Sequence, residues 1–454
     1  NIMPDQAAWL LLPVETKVRE FHAKLLLAAI AVERGYRVVL GEQNAMVRQI
    51  DHLPRGLYID KSIASSKTEH FRHLRQRGNK VAAWCEEGLV YRDRRAYLEQ
   101  RINLDSLAQV ETFFCWGDVQ RQDIGGLATG MEQKLSPTGN PRFDLLRPGF
   151  RGLFTMETQG LRKQFGDFIL INTNFARYNH FFGEDSLLKI QRQRGTVENK
   201  EQEAYLLAWR DFLGEMYHAF VAMLAPLSSA FPDRQIILRP HPSENHQRWA
   251  RECENLDNVS VIFEGNVVPW LQAAKALIHN SCTTGLESYF LDRTAIAYQP
   301  VKSDIYDSYL PNIVSQRVET INNLVKVVGN ALAGQTVDGG LIGQDAAIEY
   351  YAATVGPLAA ERVLDAVDQI DLDLPQPTGP SQWLGRLSGN VKLPARDIVR
   401  KVWRPDVAAY GRQKFPGLGV DEIRRELAKL SAASSRFSTI RVKSLAHKCF
   451  GLAA

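Results

Sequence analysis

Short apolar segments alternate with amphipathic helical stretches along most of this chain, and that alternation constrains the fold more than any other feature. For example, Glu15 to Arg34 has apolar residues at helical spacing and ends at Gly35, a favourable helix C-cap. The pattern is typical of a parallel sheet whose strands are joined by helices. We predict five strands in a first run: Ala8–Pro13, Tyr36–Leu40, Gly56–Asp60, Lys80–Trp84 and Thr112–Trp116.

A second run of the same kind begins near Asp167. Its predicted strands are Phe168–Asn172, Gln235–Arg239, Val259–Phe263, Ala276–His279 and Thr294–Tyr298. Two such runs predict an α/β fold with two Rossmann-type doubly wound domains facing a cleft, followed by a helical, basic C-terminal extension. We place the boundaries at 1–155 for the N-terminal domain, 156–345 for the C-terminal domain, 346–390 for a helix and linker returning toward the N-terminal domain, and 391–454 for the tail.

Charge is unevenly distributed over the 454 residues, although the formal net charge is only +4. Residues 391–454 hold 14 Lys and Arg against 5 Asp and Glu, so any affinity for anionic surfaces belongs to the extension, and we expect no nucleic-acid partner. Apolar runs such as Leu25 to Val32 are far shorter than the roughly twenty residues of a membrane-spanning helix. Five cysteines without a CxxC pair argue against disulfides and zinc and indicate the reducing cytoplasm.

The sharpest motif is Arg239-Pro240-His241-Pro242, which directly follows a predicted strand. Two prolines there favour a rigid loop at the carboxyl edge of the sheet, where open α/β sheets bind ligands. His241 can then donate a hydrogen bond to a phosphate oxygen, and Arg239 can add a fork of donors to the same anion. The alternative is a histidine that only satisfies a backbone carbonyl, but the strand-end position and a second motif favour phosphate binding.

The second motif follows the strand ending at His279 and opens a helix. Small hydroxyl residues and a glycine at a helix N-terminus present free N–H groups to a phosphate, whereas N-capping alone would explain only one of them. Glu287, one turn into the helix, is placed to accept hydrogen bonds from a ribose; the alternative is an ordinary first-turn glutamate. The candidate phosphate-loop residues are Asn280, Ser281, Thr283, Thr284 and Gly285.

Two carboxylates, Glu86 and Glu87, stand at the tip of the predicted strand Lys80–Trp84 and precede Gly88. One of them can act as general base or as nucleophile toward an anomeric carbon, and because adjacent residues alternate faces, only one should reach the cleft. The alternative is a solvated loop pair. Asp118, after the strand ending at Trp116, is the next catalytic candidate.

Weaker signals complete the set of candidates. Asn172 and Asn174 begin the first loop of the second domain, where they can contact the base or phosphate of a nucleotide. Asp371 to Asp373 resembles a metal-binding DxD pattern but lies away from any nucleotide loop, so we expect no metal site. The glycine fingerprints of NAD and P-loop ATP sites do not occur in the right context, and we expect no cofactor.

These motifs resemble the bacterial surface carbohydrate biosynthesis protein family, which is similar to GT-B glycosyltransferases that use CMP-activated ulosonic acids such as Kdo. The stretches that carry the resemblance are Leu12–Glu20 with Ala23–Ala29, Pro54–Lys61, Glu86–Gly88, Gly139–Asp144, Arg239–Asn245 and Asn280–Glu287. The resemblance implies that His241 holds the CMP phosphate and that Glu86 or Glu87 is catalytic. It also implies that the N-terminal domain takes the acceptor and the C-terminal domain the nucleotide sugar.

The resemblance predicts a cytoplasmic glycosyltransferase that moves Kdo or a related nonulosonate from a CMP-activated donor to a surface polysaccharide, such as lipopolysaccharide or capsule, or to a lipid-linked acceptor. The related Kdo enzymes favour retention of configuration, with a carboxylate nucleophile. The alternatives are a UDP-sugar 2-epimerase or a CDP-polyol phosphotransferase of similar fold, and a non-catalytic scaffold.

Basic residues in the extension are interleaved with apolar ones, as at Thr439 to Lys448. This pattern suits peripheral contact with an anionic membrane. Such contact would bring the enzyme close to a lipid-linked acceptor. The alternative is that these segments pack on the first domain with their charges solvated. In the membrane interpretation, deleting 391–454 should abolish vesicle binding while leaving transfer to a soluble acceptor intact.

Overall fold

The computed structural model describes residues 7–91, 94–183, 186–193, 197, 199–293, 295–335, 347–377, 392–394 and 403–454. Two sheets organise this part of the chain, one in each domain. The strands of the first sheet are β1 (Trp9–Val14), β2 (Arg37–Glu42), β3 (Leu57–Asp60), β4 (Lys80–Trp84), β5 (Phe113–Cys115) and β6 (Leu135–Pro137). Those of the second are β7 (Ile169–Asn172), β8 (Ile236–Arg239), β9 (Val259–Val261), β10 (Ala276–His279), β11 (Ala295–Tyr298) and β12 (Gln316–Val318).

Helices connect the strands and cover both faces of each sheet. Those of the N-terminal domain are α1 (Lys17–Glu33), α2 (Gln43–Arg48), α3 (Thr68–Gln76), α4 (Arg94–Arg101), α5 (Leu104–Gln109), α6 (Asp118–Leu127) and α7 (Pro141–Asp144). Those that follow are α8 (Thr155–Phe165), α9 (Ser186–Gln193), α10 (Lys200–Ala230), α11 (His246–Cys253), α12 (Val267–Ala273), α13 (Thr283–Phe290), α14 (Tyr309–Ile313) and α15 (Ile321–Leu332). Among the described residues, no helix has the length and apolar character needed to cross a membrane.

All twelve of these strands pair in parallel within their own sheets, so the predicted fold of two Rossmann-type domains is confirmed. Residues of β1, β7, β8 and β10 are buried as nearly continuous apolar runs because helices cover both sheet faces. The order in the first sheet is β2-β1-β3-β4-β5-β6, and in the second it is β12-β11-β10-β7-β8-β9. The order in which successive strands are added to the sheet therefore reverses between β1 and β3 and between β7 and β10. Such switch points open a crevice at the carboxyl ends of the strands.

The segment after the second sheet returns to the N-terminal domain through α16 (Ala359–Val367). The side chain of Asp144 accepts hydrogen bonds from the backbone N–H groups of Ala359 and Ala360 at 2.8 and 2.9 Å, which caps the free N–H groups at the start of this helix. Burial raises the pKa of Asp144 to about 7. Arg34 at the end of α1 donates to Asp365 at 2.8 Å, so both ends of α16 are tied to the first domain.

The C-terminal extension is only partly helical, which differs from the predicted helical tail. It contains α17 (Pro405–Lys414) and α18 (Val420–Ser434), but it ends in a hairpin of β13 (Arg441–Ala446) and β14 (Cys449–Ala453). Strand β14 pairs antiparallel with β2 and adds the hairpin to the edge of the first sheet. Along β13, Arg441 and Lys443 are exposed while Val442 is buried, so the interleaved basic and apolar residues form a two-sided strand. A second basic segment of the extension, with Arg396, Arg400 and Lys401, lies outside the described residues.

Candidate active site between the two domains

A cavity of about 560 Å³ lies between the carboxyl edges of the two sheets. Residues that follow β1 and β3 line it on one side, and residues that follow β7, β8 and β10 line it on the other. These are the two switch points of the topology, so the chain order itself places the loops there. The predicted residues that line this cavity are Glu87, Asn172, Asn174, Arg239, His241, Pro242, Ser281, Thr283, Thr284 and Glu287.

His241 is held in one orientation by its own loop. The backbone N–H of Ser243 donates to its Nδ1 at 3.1 Å, which assigns the proton of the neutral ring to Nε2. That Nε2 lies 3.4 Å from Nη1 of Arg19, in the first turn of α1. Both atoms then carry hydrogen, so neither can accept from the other, and an anion placed between them would accept from both. Burial and then Arg19 lower the pKa of His241 to about 3.

Glu244, which the sequence analysis left without a role, fixes this loop. Its carboxylate is fully buried and accepts hydrogen bonds from the backbone N–H of His241 at 3.1 Å, the backbone N–H of Phe175 at 2.9 Å and the indole of Trp249 at 2.7 Å. The hydroxyl of Thr173 donates to the same carboxylate at 2.9 Å. Glu244 therefore ties the His241 loop to the loop after β7, and a sequence signal was available: an acidic residue three positions after the histidine.

Arg239 has a different role from the predicted phosphate fork. Its Nη1 and Nη2 donate to the carbonyl oxygens of Glu264 and Gly265, both at 2.6 Å. The guanidinium also lies over the rings of Phe263 and Trp270 at 4.9 and 5.6 Å. Burial lowers its pKa to about 10. Both terminal nitrogens of Arg239 thus donate to backbone carbonyls, and the guanidinium orients the turn after β9.

The second predicted loop turns sharply before α13. Ser281 has a φ of 59°, a left-handed conformation that is uncommon without glycine, and its hydroxyl accepts a hydrogen bond from Asn312 at 2.8 Å. This turn brings Thr283 and Thr284 to the start of the helix, where both line the cavity. Gly285 lies behind them: a Cβ added there would stand 2.5 Å from the ring of His279, so glycine lets the helix approach the buried histidine.

Asn280 and Asn174 act together rather than separately. The side chain of Asn280 accepts from the backbone N–H of Asn174 at 2.9 Å and donates to its carbonyl at 3.3 Å, which joins the two loops. Asn172 lies beside them at the end of β7, only 3% exposed, and neither its amide oxygen nor its amide nitrogen has a hydrogen-bond partner. A buried amide with both groups unsatisfied at a cavity wall is typical of a ligand contact.

Glu287 makes an ion pair across the cleft. Its Oε1 lies 2.9 Å from Nη2 of Arg142 in the first domain, and both side chains are less than 10% exposed. Since Nη1 of Arg142 has no partner, the pair retains one buried donor. Glu287 therefore links the two domains at the cavity, in addition to any contact with a ribose.

Of the two carboxylates after β4, only one lines the cavity, as predicted from the alternation of side chains between the two faces of a strand. Glu86 accepts a hydrogen bond from the indole of Trp84 at 2.8 Å and does not line the cavity. Glu87 lines the cavity, forms an ion pair with Arg101 and lies 3.9 Å from Nη1 of Arg19. Arg101, and then Arg19, hold the pKa of Glu87 well below its usual range, so this carboxylate is ionised.

Asp118 lies apart from this group. It pairs with Arg121 one turn along α6 at 2.9 Å, its side chain is 62% exposed, and it is not part of the cavity wall. The catalytic role of Asp118 stays a prediction, and the structure places this residue outside the cavity because β5, which it follows, ends away from the switch point between β1 and β3.

The cavity wall is strongly cationic. Among the described residues that line it, eight are Lys or Arg and three are Glu. The cations are Arg19, Lys61, Lys67, Arg101, Arg142, Arg177, Arg239 and Lys414. A concave, positively charged cavity concentrates anionic ligands. Among the described residues, no group of three or more His, Cys, Asp or Glu is arranged to hold a metal ion.

No family model and no curated protein sequence matches the chain. Solved structures are similar to it in fold. The Methanocaldococcus jannaschii UDP-GlcNAc 2-epimerase in complex with UDP-GlcNAc and UDP has 12% identity and a TM-score of 0.48, over 80% of this chain and 99% of that one. The wall teichoic acid polymerase TagF, soaked with CDPG, has 10% identity and a TM-score of 0.47, over 80% and 88%. Anabaena HepE with UDP and glucose has 9% identity and a TM-score of 0.44, over 80% and 100%. TM-scores below 0.5 indicate nothing about activity. The fold is defined by the strand order of the two sheets.

Proposed function

We propose that this chain is a glycosyltransferase that uses a nucleotide-activated sugar, with a CMP-activated ulosonic acid as donor and a surface polysaccharide or lipid-linked glycan as acceptor. One observation carries the proposal: Nη1 of Arg19 lies 3.4 Å from His241 and 3.9 Å from Glu87. An anion-binding pair of donors therefore stands next to an ionised carboxylate inside one interdomain cavity. A donor phosphate held by Arg19 and His241 would place the sugar it carries near Glu87.

The low basicity of Glu87, which follows from its ion pair with Arg101, favours transfer over epimerisation. A carboxylate with a lowered pKa is a weak proton acceptor, whereas epimerisation at C2 of a sugar requires a base that removes a carbon-bound proton. The same carboxylate is ionised throughout the working pH range, as a nucleophile or as a counter-charge to a developing oxocarbenium ion must be. We therefore assign Glu87 as the nucleophile of a retaining reaction.

The cationic wall suits an acidic donor in particular. An ulosonic acid carries a carboxylate in addition to the donor phosphate, so its CMP derivative brings two anionic groups into the cavity. Lys61 and Arg101 in the first domain can meet the sugar carboxylate, while His241 and the start of α13 meet the phosphate. In this proposal these cations neutralise the donor without a metal.

Ligand-dependent thermal stabilisation tests the proposal against its alternatives. The purified chain is heated with CMP, CDP, UDP and UDP-GlcNAc in separate samples, and release of CMP from CMP-Kdo is then measured with and without acceptor. Stabilisation by CMP and acceptor-dependent CMP release support the proposal. Selective stabilisation by UDP or UDP-GlcNAc would replace it with a 2-epimerase, selective stabilisation by CDP with a polyol phosphotransferase, and no stabilisation at all with a scaffold.

His241→Ala should weaken CMP binding by roughly 1.5–3 kcal/mol, the usual contribution of a hydrogen bond to a charged group, which corresponds to about a 10- to 150-fold rise in Kd. Isothermal titration calorimetry measures the change. His218→Ala is the control, because His218 lies on α10 outside the cavity and contacts the hydroxyl of Tyr178 at 2.9 Å. A well-folded His241→Ala protein with wild-type CMP affinity would exclude the phosphate role.

A further inference from the structure

Helix α17 of the C-terminal extension lies against the His241 loop. The hydroxyl of Tyr410 donates to the side chain of Ser243 at 3.3 Å. The side-chain amide of Gln413 donates to the carbonyl of Pro242, and it lies 3.4 Å from the carbonyl of Glu244. Tyr410 also packs on the ring of Phe181 at 5.1 Å between centroids. The extension is therefore attached to the loop that carries the proposed phosphate ligand.

The last residue of this helix, Lys414, crosses to the other domain. Its Nζ lies 2.8 Å from Oε1 of Glu15, which follows β1, and its side chain is 17% exposed. Glu15 also pairs with Lys61. Burial alone would raise the pKa of Glu15, but the two lysines outweigh burial and hold that pKa well below its usual range. The carboxylate of Glu15 thus stands between the ammonium groups of Lys61 and Lys414 at the cavity wall.

The charge of Lys414 also acts on the anion-binding pair, Arg19 and His241. Lys414 lines the same cavity as Arg19 and His241, and its charge acts on the His241 ring in the same direction as that of Arg19, opposing protonation. Positive charges held close together by the fold repel one another, and an anion bound among them relieves that repulsion. The geometry gives this cluster one shared ligand class, an oxyanion such as a phosphate.

We propose that Lys414 is a substrate-binding residue, through which the C-terminal extension completes the phosphate site formed by Arg19 and His241. This inference rests on the proposed function, since the phosphate is taken to be that of the nucleotide donor. It assigns the extension a part in substrate binding, whereas the sequence pattern suggested only membrane contact. The competing explanation is that Lys414 merely ties the extension to Glu15.

Calorimetric titration of the full chain with three probes separates these explanations. CMP and inorganic pyrophosphate both carry phosphate, whereas cytidine offers the base and ribose alone. Lys414→Met should weaken the binding of CMP and pyrophosphate by about tenfold or more, as for other lost hydrogen bonds to charged groups, and leave cytidine unchanged. Lys414→Arg keeps the charge and should recover most of that loss.

Arg412→Met is the matched control, because Arg412 is an exposed cation of the same helix outside the cavity wall. It should bind all three probes as the wild type does. The inference is overturned if Lys414→Met binds pyrophosphate and CMP normally, if it loses cytidine and CMP equally, or if the wild type binds neither anion. Pyrophosphate binding without any preference for CMP, CDP or UDP would instead refute the proposed function, while the response of Lys414→Met to pyrophosphate still decides the inference.

Discussion

Glu87→Gln should lower the rate of sugar transfer by on the order of 10³-fold or more while leaving CMP affinity nearly unchanged. The substitution keeps the shape of the side chain and removes the negative charge that would attack the anomeric carbon. Glu87 contacts the proposed phosphate site only through Arg19, at 3.9 Å, and a glutamine oxygen can accept from the same guanidinium, so the phosphate site should remain assembled. Single-turnover kinetics with CMP-Kdo, beside CMP titration, separates the chemical step from binding.

Glu86→Gln provides the matched control at the neighbouring position. The Glu86 carboxylate accepts a hydrogen bond from the Trp84 indole at 2.8 Å, and a glutamine oxygen can accept the same bond. This variant should therefore transfer sugar at close to the wild-type rate. If both variants keep the full rate, no carboxylate of this loop is catalytic, and the retaining mechanism proposed for Glu87 must be abandoned.

A nucleophile and a counter-charge can be distinguished by chemical rescue. Glu87→Ala leaves space beside the anomeric carbon, and azide is a small anion that can enter it. If Glu87 is a nucleophile, azide should restore CMP release and form a glycosyl azide of inverted configuration. Rescue of CMP release without a glycosyl azide would instead indicate that the charge of Glu87, rather than a covalent bond, assists the departure of CMP.

The local pattern of the sequence was enough to predict both sheets. All ten predicted strands occur within one or two residues of their expected bounds, because buried parallel strands are continuous apolar runs between polar loops. The loops at the strand ends followed from the predicted strand order, which is why His241 and Glu87 could be expected at the cavity that they line. Strands β6 and β12 were missed: each has three residues of which only one is buried, so neither forms an apolar run.

Long-range partners could not be predicted in the same way. Nothing near Arg239 in the sequence shows that two carbonyls beyond β9 will occupy its fork. Arg19 is far in sequence from His241, and Lys414 is far in sequence from Glu15, so these contacts exist only after the chain folds. The same reason applies to Arg142, which pairs with Glu287 across the cleft.

The C-terminal hairpin is the clearest case of tertiary structure overriding local pattern. Basic and small residues around Ser444 to Ala446 are compatible with a helix, but the edge of β2 offers a row of unpaired backbone groups for β14 to join. Lys448 adopts a φ of 55° in the turn between the two strands. Because this pairing depends on residues 37–42, it could not be read from the tail alone.

Removing residues 439–454 should prevent stable folding, contrary to the expectation that the extension can be deleted without loss of transfer. The hairpin buries the side chains of Val442, Cys449, Phe450 and Leu452, each at most 5% exposed. At about 1.5–3 kcal/mol for each of the three large apolar side chains, Val442, Phe450 and Leu452, the loss is about 5–9 kcal/mol, comparable with the ~5–15 kcal/mol stability of a typical domain. Deletion would also expose the apolar edge strand β2. Circular dichroism and thermal denaturation of the truncated chain measure the effect.

Two point variants test the contribution of the hairpin to stability without truncation. Leu452→Ala leaves a cavity at a fully buried position and should lower the free energy of unfolding by about 2–5 kcal/mol. Lys443→Ser, on the exposed face of β13, should change it by less than about 0.5 kcal/mol. Urea denaturation of both variants gives the comparison, and equal stabilities would mean that the hairpin does not hold the first sheet together.

Because Lys443→Ser keeps the fold, it also tests membrane contact: lower co-sedimentation with anionic vesicles would then report a lost charge rather than an unfolded domain.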